Sequence, residues 1–210
     1  RQLEISAENS GCFNAFGLHP WFLENVPKAW EIELQNAIQQ NRPVAIGECG
    51  LDFSREHPEF QKEIFAKQVA LSVEHDLPLI IHSYRAVDDV LKILRQYPKA
   101  RGVFHALNSS IQQLSQILEL GYDVGFGGAV TFERAKRLQR LLAATPLERI
   151  LLETDGPFQA GSYRLQDELH LPRDLLNIGQ FIAEQKSLPL AELAKITTEN
   201  AIRLFNLEIK

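Results

Sequence analysis

The chain has 210 residues, with 22 lysines and arginines against 27 aspartates and glutamates, a net charge of −5 and 45% hydrophobic positions. This composition excludes a disordered, collagenous or disulfide-stapled chain. No apolar run approaches the roughly 18 residues of a membrane-spanning helix, and the acidic balance disfavours a broad basic face that grips nucleic acid by counterion release.

Along the chain, short apolar runs alternate with stretches of helical period. The runs cover residues 12–18, 44–47, 79–81, 102–104, 122–126 and 150–152, each of strand length. Between them lie helical stretches at 29–39, 60–74, 87–94, 111–120 and 132–142, with Pro27 as a start signal and Gly121 as a stop signal. Such alternation predicts right-handed βαβ units and a parallel sheet with both faces covered. No GxGxxG turn occurs, which excludes a dinucleotide fold. Gly125, Gly127 and Gly128 read as a tight strand exit rather than a phosphate cradle. One unit per roughly 27 residues is the period of a barrel of about 250 residues. Six units are visible, so the expected fold is an α/β (β/α)8 TIM barrel whose first one or two units precede Arg1, forming a single domain over residues 1–210. Cys12 and Cys49 are too far apart for a CxxC motif and read as small packed hydrophobes in a reducing, cytoplasmic setting.

Five of the six runs are followed by a side chain able to bind metal: His19, Glu48, His82, His105 and Asp155. Barrel enzymes place their active sites at the carboxyl ends of the strands, so residues sharing that position in sequence converge in space. A mixed imidazole and carboxylate set fits zinc, manganese or cobalt better than calcium, and magnesium where few histidines bind. A lone histidine after an apolar run is usually a packed or surface residue. An ionised carboxylate directly after an apolar run is costly to desolvate without a cation or donor, and a site explains that placement where a core does not. His-Pro at residues 19–20 divides evenly between substrate contact and turn formation. Arg134, Lys136, Arg137 and Arg140 read as a solvated helix face.

The segments Gly47-Glu48-Cys49-Gly50-Leu51-Asp52, Leu77-Pro78-Leu79-Ile80-Ile81-His82-Ser83, Gly102-Val103-Phe104-His105 and Leu151-Leu152-Glu153-Thr154-Asp155-Gly156-Pro157 resemble the successive motifs of TatD-type metal-dependent hydrolases. Gly17-Leu18-His19-Pro20 and the segment from Thr197 to Phe205 are similar to the family's first visible and last motifs. The resemblance implies an amidohydrolase-like barrel that hydrolyses phosphodiesters of DNA with two divalent cations (zinc, manganese or magnesium). It implies metal ligands Glu48, His82, His105 and Asp155, with Glu48 bridging and Asp155 also acting as general base. Glu48 and Asp155 are thus the catalytic pair, and His19 and Arg55 the candidate substrate contacts. The expected partner is DNA or another phosphate ester, with no membrane. The family's His-x-His pair on its first strand is absent from these residues, and the stretch 159–172 lacks its Arg-Asn-x-Pro. Alternative readings are a hydrolase of amides, lactones or small phosphate esters using the same site, and a catalytically impaired barrel that serves as a binding protein.

Overall fold

The structure is a computed structural model that describes residues 2–9, 11–24, 26–163 and 169–208; residues 164–168, within the stretch compared with Arg-Asn-x-Pro, lie outside the described residues. The chain divides into two compact units, residues 1–102 with 204–207 and residues 103–203 with 208–210.

In the first unit, α1 (Gln2–Glu8) precedes β1 (Ala15–Phe16), α2 (Trp30–Asn41), β2 (Ala45–Asp52), α3 (Pro58–Glu74), β3 (Leu79–Tyr84) and α4 (Val87–Leu94). β2 pairs in parallel with β1, Ala45 opposite Ala15, and with β3, Gly50 opposite His82 and Asp52 opposite Tyr84. Seven of the eight β2 residues are buried, the near-continuous burial expected of a parallel strand covered on both faces. α2 buries Trp30, Leu34 and Ile38, one residue per turn. It stops where Arg42 turns left-handed at φ 46° and returns its N–H to Ile38 O, ahead of Pro43. Pro58 opens α3, where its missing N–H leaves no bond unmade. Ile64, Phe65, Val69 and Leu71 of that helix are at most 4% exposed.

In the second unit, β4 (Gly102–Phe104) is followed by α5 (Ile111–Glu119), β5 (Asp123–Phe126), α6 (Lys136–Ala144), β6 (Ile150–Leu152), α7 (Leu175–Gln185) and α8 (Leu190–Phe205). β5 lies in parallel between β4 and β6, with Phe104 opposite Val124 and Gly125 opposite Leu151. α5 starts in a capping box, in which Ser110 Oγ accepts the Gln113 N–H and Gln113 Oε1 accepts the Ser110 N–H. Asn200 of α8 donates to Leu147 O and Ile150 O at 2.8 and 2.9 Å, tying the helix to the start of β6. Buried Asp123 is held by Arg149 and Arg203 at 3.4 and 3.2 Å, which supplies the opposite charge its burial requires.

The parallel α/β alternation matches the expectation, with three corrections. The run at 12–18 yields only the two-residue β1, and Cys12 is exposed in a turn whose N–H returns to Asn9 O. Only Cys49 is the packed thiol expected of both. The helical stretch at 132–142 begins later, at Lys136, because residues 128–131 form a 3-10 turn closed by Thr131 Oγ1 on Gly128 O. Glu48 and His82 lie within their strands rather than after them: β2 runs on through buried Cys49 and Leu51 to Asp52, and β3 to Tyr84. Among the described residues, no helix is long and apolar enough to cross a membrane.

Candidate metal centres

In the first unit, α3 positions the strand exits. Gln68, fully buried, accepts the Leu18 N–H at 2.8 Å and donates to Leu18 O at 3.1 Å. Gln61, two helical turns earlier, does the same for Asp52, at 2.8 and 3.0 Å. Where the ladder ends, the backbone would otherwise bury unmade hydrogen bonds, each costing about 1–3 kcal/mol. These two side chains therefore fix the segments that carry His19 and Asp52. Within the strand, Gly50 has φ 140°, and a Cβ there would lie 2.0 Å from His82 O, so only glycine lets β2 pass β3 here.

This framework gathers His19, Glu48 and His82 so that one ligand-capable atom of each lies within 4.8 Å of the other two. Glu48 Oε1 is 3.1 Å from His82 Nδ1 and 3.7 Å from His19 Nε2. The other face of His82 meets Asp52, with Nε2 3.0 Å from Oδ2. The same oxygen accepts the Trp21 indole N–H at 2.6 Å, and Oδ1 accepts the Ser54 N–H at 2.9 Å and its hydroxyl. Burial opposes ionisation of Asp52, but the hydrogen bonds from Ser54, Trp21 and His82 outweigh it and hold the carboxyl at about 2. Burial, with the adjacent Glu48 charge, pushes the Cys49 thiol well above its ordinary range, so it is inert packing. Arg55 is exposed, its guanidinium 4.5 Å from the Trp21 ring centre.

In the second unit, His105 follows β4 directly, and its Nε2 is 3.4 Å from Asp155 Oδ1. Its Nδ1 is 2.9 Å from Glu153 Oε2, while Glu153 Oε1 accepts the Ala106 N–H at 2.8 Å. Gly125 makes room for this arrangement, since a Cβ there would fall 2.0 Å from Glu153 Oε2. Ala106 and Asp155 both have left-handed backbones, at φ 43° and 52°. That conformation costs a non-glycine residue roughly 1–2 kcal/mol, and here it falls on Asp155 itself and on the residue after His105, as it also does on residues away from the site such as Arg42, His57 and Asp76. Gln159 donates to the second oxygen of Asp155.

Each predicted residue thus has a place. His19, Glu48 and His82 meet in the first unit, with Arg55 on Trp21; His105 and Asp155 meet in the second. Sequence reasoning missed Asp52, Glu153, Trp21, Gln61 and Gln68. For Glu153 a signal was present: it directly follows the apolar Ile150-Leu151-Leu152, the placement that is costly for a carboxylate without a partner.

The donor set of the first unit fits a cation, with an atom each of His19, Glu48 and His82 within 4.8 Å of one another; in the second unit His105 and Asp155 adjoin at 3.4 Å. A parallel α/β sheet with Glu48 and His82 inside β2 and β3, and His19, His105 and Asp155 on the segments beyond β1, β4 and β6, is the arrangement of an amidohydrolase-like barrel of the metal-dependent hydrolase class. More particularly, the chain belongs to the TatD-related DNase family, whose model matches residues 1–206. It is 34% identical to the metal-dependent hydrolase YabD of Bacillus subtilis, with 99% of this chain and 82% of that protein covered. It is 32% identical to YjjV of Escherichia coli K12, described likewise as an uncharacterized metal-dependent hydrolase, with 98% and 81% covered. The crystal structure of YjjV, a TatD homologue, matches with a TM-score of 0.92 at 31% identity over 99% of this chain and 82% of that one. A TatD-family hydrolase from Entamoeba histolytica shares the fold, with a TM-score of 0.84 at 21% identity over 97% and 79% of the two chains.

Proposed function

We propose that the protein hydrolyses phosphodiester bonds of DNA with two divalent cations, zinc, manganese or magnesium. The observation that carries this reading is the pairing of each candidate ligand histidine with a candidate ligand carboxylate, Glu48 with His82 and Asp155 with His105, in a chain of the TatD-related DNase family. Glu48 and His82 in the first unit, and His105 and Asp155 in the second, would hold the cations. Bound divalent cations lower the pKa of water towards neutrality and offset charge on phosphoryl oxygens. The protein's own part is to move protons and orient the ester. Asp155, about a quarter exposed and in reach of solvent, takes the proton from the attacking water. His19 and Arg55 contact the phosphate, Arg55 from its seat on exposed Trp21. Two free thiols, one of them exposed, suit a reducing cytoplasmic setting.

The test is nucleotide release from single-stranded DNA with and without a chelator. Chelator-sensitive release is expected. Metal uptake without release, but with turnover of a small phosphate ester, lactone or amide, moves the reading to that bond. Uptake of metal with no turnover of any of these identifies a binding protein.

A further inference from the structure

The four basic side chains around the start of α6 are not alike. Arg137 gives its guanidinium to Asn108, with Nε 2.7 Å from Oδ1. Arg134, Lys136 and Arg140 are exposed, and among the described residues none of the three forms a salt bridge. Arg134 precedes the helix rather than lying on its face, while Lys136 and Arg137 stand in its first turn, which holds no acidic residue. Positive charge at a helix start opposes the helix dipole, and Lys136 with Arg140 one turn on is a like-charged pair. Both placements cost helix stability, and a bound anion offsets that cost.

The segment that carries these cations is fixed from two sides. Gln139 of α6 donates to Val130 O and Phe132 O at 3.3 and 3.0 Å. Phe132, half-buried, supports Arg134, whose guanidinium carbon is 5.5 Å from the ring centre. Phe132, Glu133, Arg134 and Lys136 line one open groove of about 620 Å³, with two cations to one anion. On one flank, Thr131 Oγ1 accepts the Ser162 N–H at 2.8 Å, and a Cβ on Gly128 would lie 2.5 Å from Gly161 N. The same segment holds Gln159, the donor to Asp155. On the other flank, Asn108 ties Arg137 to the loop that begins at His105. The groove therefore adjoins the loops of His105 and Asp155, at the carboxyl ends of β4, β5 and β6.

We propose that this groove holds the phosphate backbone of a DNA strand beyond the bond being cut, with Arg134, Lys136 and Arg140 as its phosphate contacts and Phe132 as the support that presents Arg134. The proposal rests on the DNA-hydrolase reading above and deepens it. A small phosphate ester occupies only the metal site, whereas a strand several nucleotides long also fills the groove, so the groove sets the preference for polymer over small ester.

The test compares a single-stranded thymidylate dodecamer with a bis-nitrophenyl phosphate diester as substrates of the metal-loaded protein. Arg134→Ala combined with Lys136→Ala should raise KM for the dodecamer roughly 10-fold, and kcat/KM for the dodecamer should fall well beyond any fall for the small diester. The slope of log KM against log salt should flatten by about 1.4, the loss of two single-strand phosphate contacts. Phe132→Leu, which keeps apolar bulk but removes the ring, should raise KM a few-fold. In the unaltered protein, a phosphorothioate dodecamer should shield Lys136 from acetylation, read by peptide mass spectrometry, which decides the question even if a variant fails to fold. A parental KM and salt slope in the double variant, equal losses on both substrates, or an unshielded Lys136 overturns the groove assignment and leaves the hydrolase reading standing. No turnover of the dodecamer by the unaltered protein overturns the DNA reading and the groove with it.

Discussion

The two units place an imidazole between two carboxylates by different local means. In the first, both acids lie on the eight-residue β2, Glu48 in its interior and Asp52 at its end, and the buttress is fully buried beneath Trp21. In the second, β6 is three residues long, so Glu153 and Asp155 stand on the loop beyond it, with Gly125 giving Glu153 its space. The first arrangement is fixed by a ladder and two buried glutamines. The second is fixed by the turns at Ala106 and Asp155 and by a missing side chain at Gly125. A strand and a loop thus reach the same chemistry, and the two should respond differently to perturbation.

The largest separation should come from Asp155→Asn, which removes charge and basicity at constant volume. Nucleotide release should fall by about 10²–10⁴-fold, while the unfolding temperature stays near that of the parent; a parental rate would refute the base assignment. Gly125→Ala should strike the second unit alone. The added methyl displaces Glu153, frees the His105 ring and should weaken zinc binding seen at His105 roughly 10-fold or more, with His82 resonances unmoved. Equal effects at both histidines would show that the comparison is misdrawn.

Acid should affect the first unit's buttress. The Asp52 carboxyl is lowered in the fold from 3.8 to about 2. Its contribution is therefore present above pH 3.8, and is lost as pH falls through that range towards about 2. It is on the order of 2 kcal/mol. Asp52→Ala should lower stability at neutral pH and flatten that part of the acid unfolding profile; an unchanged profile would contradict the account. The smallest effect is expected at Arg137→Ala. Arg137 spends its guanidinium on Asn108, so DNA affinity should change little; a large loss would add Arg137 to the phosphate contacts.

Much of this was legible in the residues. Apolar runs separated by helical periods marked five of the helices and all six strands, because buried parallel strands are apolar on both faces. Glu48, His82, His105 and Asp155 stood out because charged or polar side chains beside such runs need partners. The same reasoning reaches Glu153, two residues before Asp155. Asp52, Trp21, Gln61 and Gln68 were illegible for a physical reason. Their partners are 30, 31, 9 and 50 residues away, and nothing local in a glutamine reports that it will satisfy a distant strand end. Similarly, β2 was read as ending at Glu48, since a carboxylate ordinarily terminates an apolar run, and only its pairing with β3 shows that it continues.

The most direct test of the central claim is metal content of the purified protein by elemental analysis, before and after dialysis against chelator and re-addition of zinc or manganese. The account predicts close to two divalent cations per chain, lost to the chelator and restored on re-addition, with occupancy reduced in Glu48→Gln and in Asp155→Asn. Absence of bound metal after re-addition, or occupancy indifferent to both substitutions, would contradict it.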